Sequence, residues 1–359
     1  MIVKLGDVAF ENRENWTGST EGVPIVGLEH LTPGEITLKD WTSDLQESTF
    51  TKKFRKGQVL LGRRRVYLRK AALAPFDGIC SGDITVIESN PAKLLPELLP
   101  FIIQNDEFFE YAMKGSAGSL SPRVKWAHLA NYTFNLPSLP EQKRLADLLW
   151  AANDLKESYK RLLVASDEMA KSRFVELFGS FNSNPDAVNL ETGFTIRDDL
   201  RKPINDATRS GMRSGTLYPY YGANGQVDSI NEFLMDCEAI CLAEDCGSYG
   251  AGEATSFIVR GKCWVNNHAH ILIPKPNCDI EFANIFFRIL DMTEYVTGTT
   301  RLKLTQANLK KIQILLPSLE RQRAFASFIQ QLDKSKVALQ KSIERLDNLI
   351  KTLLQEHLG

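Results

Sequence analysis

No apolar run in the sequence approaches the ~20 residues that cross a bilayer, so no membrane-spanning helix is expected. The six cysteines show no short paired spacing, which excludes a secreted disulfide scaffold and points to reduced thiols in the cytoplasm. The start, Met1-Ile2-Val3-Lys4-Leu5-Gly6-Asp7, lacks the apolar core of a signal peptide. No GxxxxGK[ST] occurs, which argues against an NTP-driven motor. GxSxG, GxGxxG and an Asn-Pro-Pro-aromatic run are also missing. A serine-hydrolase elbow, a dinucleotide loop and an amino-methyltransferase motif are thereby excluded. Net charge is only −1, so total charge does not advertise a polyanion binder.

What is present is a repeat. Residues 136–179 and 316–359 both open Leu-Pro-Ser-Leu and align without a gap at an offset of 180 (316 − 136). Gln142/Gln322, Ala146/Ala326, Lys156/Lys336, Lys171/Lys351 and Gly179/Gly359 are identical. Each copy predicts one long helix of about 40 residues, roughly 60 Å at 1.5 Å rise. Ser138 and Ser318 suit N-caps, Ser138 with Glu141 fits a capping box, and the closing glycines suit C′ positions. Phe325, Ile329, Leu332, Lys336, Leu339, Ile343, Leu346, Ile350 and Leu353 alternate steps of four and three, a heptad seam. Leu145, Leu149, Ala152, Lys156, Tyr159, Leu163, Ser166 and Ala170 are its counterparts. The lysines within the seams are candidates for fixing register. With 359 residues, 43% hydrophobic and 24% charged, the chain is long enough for two or three folded domains.

The first 135 residues read as a mixed α/β globule, with strand-like runs at 24–26, 59–61 and 84–87 and helical spacing over 94–113. Residues 51–70 carry nine cations and no carboxylate, including Lys52, Lys53, Arg55, Arg63, Arg64, Arg65, Arg69 and Lys70, with Tyr67 among them. Strand alternation puts Arg63, Arg65, Tyr67 and Arg69 on one face. Such a stretch suits phosphate and base contact, or equally a solvated charged hairpin. A Gly/Ser loop follows, with Ser119, Arg123 and Lys125 as candidate contacts. Before the second repeat, Thr300, Arg301 and Lys303 recur in the same small-residue, Arg-x-Lys pattern.

Residues 180–190 read as a linker, and the second globule runs to 315. Tyr218–Gly225 reads as an aromatic turn, with Tyr220, Tyr221 and Asn224 able to stack on or bond to bases. Ser248 and Tyr249 lie in a Gly-rich loop, and Asn266, Asn267 and His268 precede a strand at 271–273. Asn pairs bidentately with adenine and Arg with guanine, but turn chemistry explains these residues equally well. Glu244 and Asp245 suit a cation or a cytosine amine alike. Five cysteines, His268 and His270 fall within residues 237–278 without a zinc-finger spacing, so no metal is expected.

These residues resemble the specificity subunits of type I restriction-modification systems. The resemblance rests on residues 136–146, on Ser172-Arg173-Phe174-Val175-Glu176-Leu177-Phe178-Gly179, and on the second copy at 316–322. In the second globule it rests on residues 218–225, 242–245 and 265–269. It implies two mixed α/β (α+β) target recognition domains, 1–135 and 180–315, separated by two long antiparallel helices, 136–179 and 316–359, in a pseudo-two-fold coiled coil. Each domain would read half of a split duplex DNA sequence through the contact residues named above. The chain would be non-catalytic and hold no cofactor. Two methyltransferase subunits and restriction/translocase subunits would supply the S-adenosylmethionine, ATP and Mg2+ chemistry. A DNA-binding scaffold of another defence complex, or a metal-dependent nuclease or hydrolase using the His/Cys/Glu set, are the rival readings.

Overall fold

The computed structural model describes residues 1–43, 50–116, 121–179, 184–299 and 301–359. The chain divides into two compact units, Met1–Leu162 with Leu339–Gly359, and Leu163–Ala338. Four helices matter below: α1 (Asp106–Lys114), α2 (Leu139–Phe178), α3 (Ile280–Ile289) and α4 (Leu319–Leu358). The two repeats are the single 40-residue helices α2 and α4, and each is shared between the two units.

Unit one has a four-stranded antiparallel sheet of β1 (Ala9–Asn12), β2 (Val59–Gly62), β3 (Ala71–Leu73) and β4 (Ile84–Ser89), in the order β1-β4-β2-β3. Unit two has β5 (Phe194–Ile196), β6 (Ala239–Ala243), β7 (Ser256–Val259) and β8 (Ala269–Pro274), in the order β5-β8-β6-β7. The two sheets are thus the same sheet with the same connections. β2 and β6 are continuous apolar runs, and every residue of both is buried. A second sheet recurs as well. In unit one Gly78–Cys80 lies between Ile25–Val26, parallel, and Lys52–Phe54, antiparallel. In unit two Lys262–Val265 lies between Tyr218–Gly222, parallel, and Met235–Asp236, antiparallel, and Gly225–Ile230 extends the edge.

Two corrections to the sequence reading concern this region. Residues 218–225 form a strand and a hairpin, with the turn only at Ala223 and Asn224. The linker at 180–190 ends early, because Ala187–Asn189 pairs with Gln313–Leu315 and so belongs to unit two. Residues 180–183 lie outside the described part.

The Leu-Pro-Ser-Leu motif acquires a physical role through the glutamine after it. Gln142 is buried; its Oε1 accepts from the Leu95 amide (2.9 Å), and its Nε2 donates to Lys93 O and Pro137 O (3.0 Å each). Gln322 repeats this, accepting from Asp279 N (2.7 Å) and donating to Asn277 O (3.0 Å) and Pro317 O (2.7 Å). Each glutamine therefore pins its helix start to the chain that follows β4 or β8. The Ser138 hydroxyl does not accept an amide as an N-cap does. Its hydroxyl and its amide both donate to Glu141 Oε2 (2.6 and 2.9 Å). Gly179 ends α2 with φ 71°, a conformation costly for a residue with a Cβ.

Within each unit the long helices meet antiparallel. In unit one Leu145 and Leu149 share a buried cluster with Leu354 and Leu358, and Lys156 Nζ meets Asp347 Oδ1 at 3.0 Å. In unit two the Phe174 and Phe178 rings pack edge-on against Phe325 (centroids 5.7 and 5.4 Å), and Lys336 Nζ meets Asp167 Oδ1 at 2.6 Å. The two ion pairs are related by the offset of 180: 156 + 180 = 336 and 167 + 180 = 347. The seam lysines thus take carboxylate partners, and Asp167/Asp347 is a further identical position in the repeat. Tyr159, Leu163 and Ser166 of the expected seam are only half-buried, as are Leu339 and Leu346. That is the exposure expected where a single neighbouring helix covers a side chain.

Candidate nucleic-acid interface

In unit one the interface grows from the end of β2. The strand stops at Gly62, and residues 63–65 pair instead with residues 122–124. Arg65 N donates to Pro122 O (2.8 Å), Val124 N to Arg63 O (3.0 Å), and Arg64 faces Arg123 in a β-bridge. Arg65 and Arg69 both take φ 52° and flank the short 3-10 turn Val66–Leu68. The expected alternation of Arg63, Arg65, Tyr67 and Arg69 on one strand face is therefore wrong. Left-handed residues and a 3-10 turn break the period of two.

The cation run is also less bare than its sequence. Arg123 forks onto Asp83 through Nε (2.7 Å) and Nη2 (3.1 Å), and Arg64 approaches the same carboxylate at 3.7 Å. The Arg123 hydrogen bond outweighs burial, and nearby guanidinium charge adds to it, so the Asp83 carboxyl lies below the usual range. Lys52 donates to Ile84 O (2.9 Å) and pairs with Glu11 (3.3 Å). Lys53 and Arg55 share Glu14 (3.7 and 2.6 Å), Lys70 caps Leu28 O (2.6 Å), and Arg69 pairs with Asp106. The missing carboxylates come from distant sequence, and several of these cations hold the fold. Arg63, Arg65 and Lys125 form no ion pair among the described residues, and Tyr67 is exposed. Arg63 and Lys125 line a groove of about 800 Å3 with Arg13, Asp83 and Trp126. Ser119 lies outside the described residues.

Unit two places the corresponding segment at the end of β6, with opposite charge. Asp245–Cys246 pairs with Leu302–Lys303, as Arg64 pairs with Arg123. Glu244 takes Arg201 and Lys303 Nζ (2.9 Å). Asp245 takes His268 Nδ1 (2.8 Å) and Arg301. Behind them His270 is fully buried, with Nδ1 on Asp198 Oδ2 and Nε2 on Leu304 O, 2.7 Å each. Burial alone would raise the Asp198 carboxyl. The His270 hydrogen bond, the His270 and Arg201 charges and the Ile271 amide outweigh it and hold the carboxyl low.

Three candidates of unit two are interior residues. Tyr249 is fully buried with its hydroxyl donating to Ala243 O (3.2 Å). Tyr220 is buried with its ring under the Arg209 guanidinium (5.3 Å). Asn266 is buried and its Oδ1 accepts from His268 N (2.8 Å), closing a turn. The Tyr220 and Tyr249 hydroxyls and the Asn266 Oδ1 are thus engaged inside the fold. Ser248 is half-buried, and its carbonyl accepts from Cys246 Sγ. Tyr221 is half-buried against Phe257 (5.4 Å). Asn224, Asn267, Arg301 and Lys303 are exposed and His268 partly so. Thr300 lies outside the described residues. Arg201 escaped the sequence reading, because its partners Asp198 and Glu244 converge only in the fold.

Burial pushes the Cys263 and Cys278 thiols up to about 12 and raises Cys241 further, so these sulfurs are protonated packing groups. Among the described residues, no three His, Cys, Asp or Glu side chains gather to hold a metal. No helix among them is long and apolar enough to cross a membrane.

The family described as the type I restriction modification DNA specificity domain matches residues 2–160 and 204–348. A Haemophilus influenzae protein named as a type I restriction enzyme specificity subunit is 29% identical over 146 residues, 40% of this chain and 36% of that protein. The Escherichia coli EcoDI specificity subunit is 24% identical over 188 residues, 50% of this chain and 38% of its own length. The matched region is thus little more than a third of each of these relatives. The solved S subunit of the type I restriction-modification system of M. genitalium superposes with TM-score 0.62 at 14% identity, covering 100% of this chain and 96% of that one. A chain from a structural study of type I R-M assembly and conformational transition gives 0.61 at 19% identity, covering 99% and 97%. At these identities the two structures share the fold.

Proposed function

We propose, from the premise that this chain belongs to the type I restriction-modification DNA specificity family, that it reads a bipartite duplex DNA target, one half-site per unit. The observation that carries this reading is the repeated site. In each unit a buried strand of the same sheet ends in a charged segment, clamped by a return strand that carries Arg123 or Lys303. One copy is built on arginines and the other on carboxylates with their cations. Guanidinium groups suit guanine edges and phosphates, whereas a carboxylate beside His and Arg suits a cytosine amine and its surroundings. Two different chemistries on one scaffold fit two different half-sites. α2 and α4 would then set the distance between the half-sites.

The chain is non-catalytic in this reading and carries no cofactor. Two methyltransferase subunits and restriction/translocase subunits dock on it in the cytoplasm and bring S-adenosylmethionine, ATP and Mg2+. The test is DNA affinity of the full chain with its methyltransferase partner, measured against salt. Affinity should fall steeply with salt. Arg63→Ala with Arg65→Ala should weaken binding by about 1–3 kcal/mol for each base edge no longer held, and should flatten the salt slope. Unchanged affinity and slope would remove these residues from the interface.

A further inference from the structure

The segment joining β2 to β3 is strained in one place only. Among the described residues, two take a positive φ without being glycine, Arg65 and Arg69, both at 52°. They stand at the two ends of one 3-10 turn, Val66–Leu68. A left-handed backbone brings Cβ close to the following carbonyl oxygen and is costly, so it persists only where the surroundings impose it. A segment that had only to reverse direction would place glycine or asparagine there.

Here the surroundings impose it from both sides. Arg65 is held through its amide on Pro122 O. Arg69 is tied to α1 by the Asp106 carboxylate, with its guanidinium over the Phe109 ring (5.8 Å). Gly62 N donates to Lys70 O (2.8 Å) and closes the base of the segment. A 3-10 turn has three residues per turn, so successive side chains point about 120° apart. Val66 points inward, buried in the core of unit one. Tyr67 and Leu68 point out, 53% and 42% exposed. An anchored backbone thus holds two adjacent apolar side chains in water, in a run that also carries Arg63, Arg64, Arg65, Arg69 and Lys70. Arg65, beside the tip, is exposed and has no ion pair among the described residues. The corresponding segment of unit two is built otherwise: it carries Gly247, Gly250 and Gly252, and Tyr249 is fully buried.

We propose that Tyr67 and Leu68 form a wedge that enters the base stack of bound duplex DNA at one step and kinks it there. Apolar side chains inserted between base pairs unstack them and bend the duplex, and cations beside them hold the phosphates of the bent strands. A wedge works only if its backbone does not yield, and the anchored left-handed residues supply that stiffness. Pyrimidine–purine steps open at the least cost, so such a step lies at the wedge. The inference rests on the reading of the chain as a DNA specificity subunit and adds a deformation of the target made by one unit only.

The test uses the full chain with its methyltransferase partner and a duplex carrying the target found by methylation mapping. Fluorescent base analogues (2-aminopurine for purines, pyrrolocytosine for pyrimidines) replace one base at a time through both half-sites and their flanks, and brighten where stacking is lost. The methylated adenine is left out of the scan, because methyltransferases unstack their own target base. Dyes at the duplex ends report bending by energy transfer. The wild-type complex should brighten one pyrimidine–purine step, at one half-site, and bring the ends together. Tyr67→Ala with Leu68→Ala should lose that signal and the bend. It should bind roughly tenfold more weakly, the order expected for one base stacked on a side chain, with the salt slope unchanged because no charge is removed. Tyr67→Phe with Leu68→Met should keep signal, bend and affinity. Both side chains are exposed, so the alanines leave folding intact, and circular dichroism of the same samples checks that. A wild-type complex that binds the duplex with every scanned step dark would overturn the wedge and leave the functional reading standing, as would an alanine variant that still brightens the step. An alanine variant that no longer holds the methyltransferase would make the tip a protein contact and overturn the wedge as well. A wild-type complex that does not distinguish the duplex from a scrambled one would overturn both.

Discussion

Replacing Gln322 with Leu removes three hydrogen bonds at 2.7, 3.0 and 2.7 Å from a side chain that solvent does not reach. A net hydrogen bond is worth about 1 kcal/mol, so the loss is about 3 kcal/mol, and more if the freed amide and carbonyls find no water. For a unit of 150–250 residues, about 2–4 °C of Tm accompanies each kcal/mol, which makes the expected drop roughly 6–12 °C. Gln142→Leu should cost a similar amount, since its three bonds run to the same kinds of group at 2.9, 3.0 and 3.0 Å. Calorimetry of the full chain reads both. The volume of Leu is close to that of Gln, so no new cavity confuses the result. A loss below about 1 kcal/mol at either position would show that these bonds exchange freely with water, and the pinning role would be wrong.

Asp347→Ala should destabilise more than Lys156→Met: the first strands a lysine side chain that is 8% exposed, while the second leaves an aspartate that is 48% exposed and returns to water. Equal losses in urea unfolding would contradict this. Asp198 has a depressed folded pKa, so its stabilisation is complete above the unfolded value of about 3.9 and lost as pH falls through the folded value. Asp198→Asn should therefore flatten the acid limb of the stability curve, and an unchanged limb would exclude that carboxylate as its source. Lys156 and Asp167, like Lys336 and Asp347, are 11 residues apart (167 − 156 and 347 − 336). Four residues inserted in both intervals, roughly 6 Å, should lengthen the spacer between methylated half-sites and leave the half-sites themselves the same.

The repeated long helices were legible in the sequence. The heptad steps and the closing glycines mark α2 and α4 because a long helix must keep its period over many turns. The runs at 59–61 and 84–87 were legible as strands because burial on both faces favours apolar and β-branched residues. Asp167 and Asp347 were visible as an identical pair, but their pairing with Lys336 and Lys156 needs the antiparallel meeting of two helices far apart in sequence. The site was harder for the same reason. The cation run at 51–70 shows none of Glu11, Glu14, Asp83 and Asp106, which arrive from other strands and loops. Tyr220, Tyr249 and Asn266 carry polar atoms that looked available, and only packing reveals that Ile204, Ala243 and His268 already use them.

What stays equal between the units and what differs divide cleanly by role. The sheet order, the glutamine pin and the Lys–Asp pair are the same in both, and each acts on backbone or on the helix pair. Residues 63–65 are three arginines where 244–246 are Glu, Asp and Cys, yet each segment pairs with the corresponding return segment of its own unit. A charge reversal at one point of an otherwise repeated scaffold needs local compensation. Asp83 takes Arg64 and Arg123, leaving Arg63 and Arg65 without an ion pair among the described residues, and Arg201, Lys303, His268 and Arg301 serve the carboxylates. Because these partners lie outside the strands of the four-stranded sheets, the chemistry of each segment can change without disturbing the sheet beneath. A protein that must present two unlike surfaces from one framework needs that separation, and a framework repeated only for stability would have no use for it.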